Sequence, residues 1–96
     1  MKKIKKIKIC GIPYKIKEVA VIDEPDEGVT QGKIIPSKSI ILLKKSLPKH
    51  LKKSVLFHEI LHGLLIELGY NELSENETLV QSLSNAMYQT FELKGE

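Results

Sequence analysis

The first half of the chain alternates apolar and polar residues, and the second half does not. Lys5 to Ile9 puts Ile7 and Ile9 on one side of an extended segment, because successive side chains of a strand point to opposite faces. Gly11-Ile12-Pro13 marks a turn. Alternation resumes from Tyr14 to Ile22, with Tyr14 and Ile16 in one phase and Val19 and Val21 in the other. A bulge near Lys17-Glu18 would absorb that shift. Asp23-Glu24-Pro25-Asp26-Glu27-Gly28 is too polar to be buried and reads as a surface loop. Gly32 to Ile35 and Ile40 to Leu43 are short apolar runs joined by Pro36-Ser37-Lys38-Ser39. That is the composition of a hairpin, although one bent strand fits the same residues.

Beyond Ser46 the period lengthens to that of a helix. Leu56, Phe57, Ile60, Leu61, Leu64, Leu65, Ile66 and Leu68 spread apolar side chains almost all round the axis, the pattern of a buried helix over about 48–69. Ser46 is the expected N-cap, Pro48 is tolerated in the first turn, and Gly69 supplies the stop. Ser74 lies three residues before Glu77, a capping-box spacing that opens a second helix over about 75–93. Leu79, Val80, Leu83, Met87 and Phe91 form its expected core side. Strands followed by helices predict an α+β fold, with a small twisted antiparallel β-sheet (about 3–45) followed by two packed helices. A chain of 96 residues has room for one modest core, so 1–96 reads as a single domain.

Composition narrows the setting. Hydrophobic content of 42% and charged content of 28% are ordinary for a soluble globular protein. No apolar stretch is long enough to span a bilayer, and the basic N-terminus has no long apolar segment behind it, so neither a membrane nor a secretory role is expected. Cys10 is the single cysteine, which excludes an internal disulfide framework. It reads as a small buried hydrophobe in a strand, in a reducing, cytoplasmic setting. The net charge of +3 is concentrated in Met1 to Lys8 and in Lys44, Lys45, Lys49, Lys52 and Lys53. There is no arginine and no aromatic interleaving to stack on bases, so nucleic acid is not the expected partner. A lysine-rich nucleic-acid accessory protein with an incidental motif remains a rival, and steep salt dependence of binding would mark it.

The chemistry is concentrated in His58-Glu59-Ile60-Leu61-His62, which reads H-E-x-x-H inside the predicted helix. Residues four apart share a helix face, so His58 and His62 can hold one metal between two imidazoles. Glu59 is about 100° round from His58, which sets its carboxylate beside the metal rather than on it. Two nitrogen ligands, a vacant position for water and a base for the water's proton are what a hydrolytic zinc centre needs.

Catalytic zinc usually keeps a third protein ligand. The metzincin pattern would place Gly and His where Leu65 and Leu68 stand, which excludes that class, and no histidine follows His62. A downstream carboxylate is therefore required, from Glu67, Glu72, Glu75, Glu77 or Glu92. Glu67 points away from the His58/His62 face, and Glu72 and Glu75 fall in a polar connector. Glu77, in the first turn of the second helix, is favoured, with Glu75 its nearest rival. One conflict stays open: a Glu77 that completes a capping box would point at backbone N–H groups rather than at a metal.

The segments Val55 to Leu65 and Asn76 to Gln89, and more weakly Gly32 to Leu43, resemble the small gluzincin metallopeptidases. In particular they resemble the short zincin-like proteins of phages and prophages related to ImmA/IrrE peptidases. The resemblance covers roughly the last two-thirds of the chain. It implies a minimal zincin-like fold, a second-helix glutamate as third zinc ligand, which supports Glu77 over Glu75, and hydrolysis of a peptide or protein substrate with Glu59 as general base. Two departures stand out. The chain lacks room for the extra helix that precedes the sheet in larger ImmA-like peptidases, and it has no clear counterpart of their oxyanion-steadying tyrosine or histidine. Tyr88 lies three turns beyond Glu77. The rival expectation is a catalytically silent, zinc-stabilised binding protein of phage type. Manganese, cobalt and nickel suit the same ligands as zinc.

Overall fold

The computed structural model describes residues 5–22 and 30–92. The acidic 23–28 loop, the first four residues and the expected last turn around Leu93 lie outside the described residues. Four strands, β1 (Lys6–Ile9), β2 (Ile12–Val19), β3 (Gly32–Ile35) and β4 (Ile40–Lys44), precede α1 (Lys49–Glu67), the single turn α2 (Asn71–Ser74) and α3 (Glu77–Thr90). The α+β order read from the sequence holds.

The sheet is mixed rather than antiparallel. Its strand order is β1-β2-β4-β3, and β2 pairs with β4 in parallel, Lys15 opposite Ile40 and Val19 opposite Lys44. The chain leaves β2, skips one strand position, enters β3 at the sheet edge and returns through a hairpin into β4. That hairpin matches expectation, with Gly32 opposite Leu43 and Ile35 opposite Ile40, and one 3-10 turn at Pro36–Lys38 joins its strands. Inserting β4 between β2 and β3 places Ile41 and Leu43 at the centre of the sheet, where both are buried.

Several local expectations are corrected. The first turn lies at Cys10-Gly11, one residue earlier than predicted. Both residues have positive φ (51° and 80°), as a two-residue turn between strands of native twist requires, and glycine takes the second position. Cys10 is therefore exposed at a turn rather than buried in a strand. β2 runs in unbroken register from Lys15 to Val19 with no bulge. Glu18 simply takes a helix-facing position, and Lys52 of α1 meets its charge at 2.7 Å. Helix α1 begins at Lys49 behind Pro48, with no side-chain cap, so Ser46 does not fill that role. In α3, Val80 and Ser84 are buried, whereas Leu83 and Phe91 are exposed (42% and 61%) and do not belong to the core side.

One face of the sheet carries Ile9, Tyr14, Ile41 and Leu43 against Leu56 and Ile60 of α1, with Ile7, Ile16, Ile34, Val55 and Leu64 packed around them. Burying each large side chain of this kind contributes about 1.5–3 kcal/mol. Tyr14 is fully buried, and its hydroxyl donates to Glu67 Oε2 at 2.6 Å. Burial and that carboxylate raise its pKa to about 12. Helix and sheet meet closely at Gly63, where a Cβ would lie 2.7 Å from Ile34 Cδ1 and 2.9 Å from Ile9 Cδ1. Phe57 packs edge-on against Tyr88 of α3, ring centroids 5.9 Å apart, which helps set α3 alongside α1. No helix among the described residues is long and apolar enough to cross a membrane.

Candidate metal centre

Unbroken α1 puts His58 and His62 one turn apart on the face turned toward α3. Their Nε2 atoms are 3.2 Å apart, with the rings inclined at 69°. Glu77, the first residue of α3, reaches both imidazoles: its Oε1 lies 3.2 Å from His62 Nε2 and its Oε2 3.3 Å from His58 Nε2. Among the described residues, these three are the one group of His, Cys, Asp or Glu placed to share a metal ion.

The spacing suits a small divalent cation. Zinc–nitrogen and zinc–oxygen bonds of about 2.0–2.1 Å at tetrahedral angles set donor atoms about 3.3 Å apart. Two imidazoles and one carboxylate also form a donor set that zinc accepts readily. The two histidines are largely shielded, and the Glu77 side chain is 67% exposed, so the group opens to solvent on the α3 side.

Glu77 is free to take this position because it does not complete a capping box. The N-cap of α3 is Asn76, whose side-chain oxygen accepts from Leu79 N at 3.0 Å. Ser74 belongs instead to α2, is buried, and lies with its Oγ 3.0 Å from His62 Nδ1. The other carboxylates are elsewhere. Glu67 is held by Tyr14, Glu72 and Glu75 are exposed on or beside α2, and Glu92 is exposed beyond α3. Tyr88 faces away, its hydroxyl 3.4 Å from the His50 carbonyl.

Glu59 sits beside the cluster under edge strand β3 and is 7% exposed. Burial raises its pKa from 4.5 to about 7, and the negative charge of Glu77 adds to the rise, while a hydrogen bond to the Ile34 backbone pulls it down. Burial also lowers the pKa of His62, favouring the neutral ring that a metal requires, against an upward pull from Glu77. β3 comes this near because of Gly32: a Cβ there would lie 2.5 Å from Val55 Cγ1 and 3.3 Å from Glu59 Cγ.

A cleft of about 590 Å³ runs between β3 and the two long helices, lined by His58, Glu59, His62 and Glu77 together with Thr30 to Ile34, Leu51, Ser54, Val55 and Gln81. Four features of this site escaped the sequence reading. Ser54 stands four residues before His58 and Gln81 four after Glu77, so helical spacing alone could have placed both. Nothing in the sequence marked Ser74 as a partner of His62 or Gly32 as the point of contact with Glu59. No family model, curated protein or solved structure matches the chain, so the chemistry of the site is read from its own residues.

Proposed function

We propose that the protein is a zinc-dependent metallopeptidase, with zinc held by His58, His62 and Glu77 and with Glu59 as general base. The observation that carries this reading is the buried Glu59 carboxylate in one cleft with two imidazole Nε2 atoms 3.2 Å apart, each within 3.3 Å of a Glu77 carboxylate oxygen. A divalent ion there supplies Lewis acidity, which polarises a carbonyl and makes water a competent nucleophile near neutral pH. The rest falls to the chain's own residues. Glu59, in the same cleft as the ligand group, takes the proton of the attacking water and passes it to the departing amine. The wall formed by Val55, Ile34 and β3 keeps that carboxylate dry and oriented. Edge strand β3 can hold an extended substrate by strand addition, since no strand among the described residues covers its outer side.

The test is Glu59→Gln against a fluorescence-quenched peptide library. The variant retains zinc and loses hydrolysis, and a variant that still cleaves at the wild-type rate ends the proposed role of Glu59. Two observations favour the alternative, a catalytically silent zinc-stabilised binding protein: Tyr88 turns away, and the amide of Gln81, on the cleft wall, is already engaged with Asn85. That reading predicts zinc in the wild type and no cleavage of any library member.

A further inference from the structure

We infer that Ser74 is the positioning residue of the metal centre, fixing the tautomer and tilt of His62 so that Nε2 offers its lone pair to the ion. This rests on the zinc reading above and extends it to a residue outside the ligand set. Two contacts carry it. Ser74 Oγ lies 3.0 Å from His62 Nδ1, and Nε2 of the same ring lies 3.2 Å from Glu77 Oε1. A ring that binds an ion through Nε2 carries its hydrogen on Nδ1, and the Ser74 hydroxyl oxygen is placed to accept it. A neutral ring with hydrogen on Nδ1 leaves Nε2 as the lone-pair donor. Nε2 is the atom that faces His58 and Glu77 at 3.2 Å.

The placement of Ser74 makes this geometry rigid. Ser74 is 6% exposed, and its own N–H is anchored to the Tyr70 carbonyl at 3.0 Å through the single turn of α2. Three residues later the same connector delivers Glu77. One short segment thus supplies a ligand on one side of the site and the orienting group of a second ligand on the other. Partners of this kind typically change metal affinity about 10–100-fold when removed. Ser74 touches the ring through one side-chain atom, so the low end of that range applies.

The experiment titrates zinc into chelator-stripped wild type, Ser74→Ala, Ser74→Cys and Ser74→Thr. It also follows the His62 Nδ1–H by long-range proton–nitrogen NMR. Cysteine keeps the volume and accepts weakly, so it covers the case in which alanine disturbs packing. Ser82→Ala, which removes an exposed α3 hydroxyl bonded to Leu79 O, is the control. Alanine and cysteine weaken zinc binding about tenfold and speed exchange of the His62 Nδ1 proton, threonine restores both, and the control changes neither. Zinc affinity within about twofold of wild type in both variants, with that proton unchanged, overturns the assignment. If wild type itself takes up no zinc, the metal reading falls and this inference falls with it.

Discussion

Glu59 should destabilise the metal-free protein, and Glu59→Gln should reveal by how much. The carboxyl is 7% exposed and its pKa is raised from 4.5 to about 7. Below pH 4.5 it is neutral both folded and unfolded and carries no penalty. Between 4.5 and about 7 the unfolded chain ionises while the folded chain stays protonated, so folding stability falls as pH rises. Above that window the penalty is constant. One pKa unit corresponds to about 1.4 kcal/mol, so the accumulated loss is about 3 kcal/mol. Glutamine has nearly the shape of the neutral acid and cannot ionise. Urea unfolding in the presence of chelator, from pH 4 to 8, should therefore give curves that coincide in acid and diverge to about 3 kcal/mol in favour of Glu59→Gln at pH 8. Part of the shift comes from the charge of Glu77, so added zinc should narrow the gap by attracting both carboxylates. A wild-type-to-variant difference that does not change with pH would refute the reasoning. The expected result would make Glu59 a group retained for its proton chemistry against its cost to the fold.

Three further outcomes follow from named contacts. Glu77→Ala abolishes tight zinc binding by isothermal titration and Glu75→Ala leaves it unchanged, because Glu77, and not Glu75, reaches both imidazoles. Gly32→Ala costs about 1–3 kcal/mol by denaturant unfolding, and lowers any peptidase activity further by pushing β3 off Val55 and Glu59. Leu56→Ala costs about 2–5 kcal/mol and Phe91→Ser stays within about 0.5 kcal/mol, since the first side chain is 4% exposed and the second 61%.

The parts of the structure that sequence could reveal are those fixed by local periodicity. The four-residue spacing of His58 and His62 required only that Val55 to Leu68 be helical, and its apolar pattern said so. Gly32 to Leu43 gave its hairpin because the two runs are joined by a short polar turn. The parallel pairing of β2 with β4 was not legible, because a period of two tells which face a residue takes and not which strand lies beside it. The same limit explains the bulge expected at Lys17-Glu18: an apparent phase break was a charged residue on the inner face, neutralised by Lys52 from a distant helix. Ser74 followed by Glu77 matched a capping box, yet Asn76 caps α3, and the serine hydroxyl serves an imidazole twelve residues away. Leu83 and Phe91 had the right period and the wrong face, since α3 is oriented by its contacts with α1, which the sequence of α3 alone does not contain.

The measurement that bears most directly on the central claim is the zinc content of protein purified without chelator, by elemental mass spectrometry, with circular dichroism to show that the fold is intact. The account predicts about one zinc per chain, lost from His62→Ala and Glu77→Ala and kept by Glu59→Gln. A folded wild-type protein that carries no metal and takes up none on addition of zinc would contradict it.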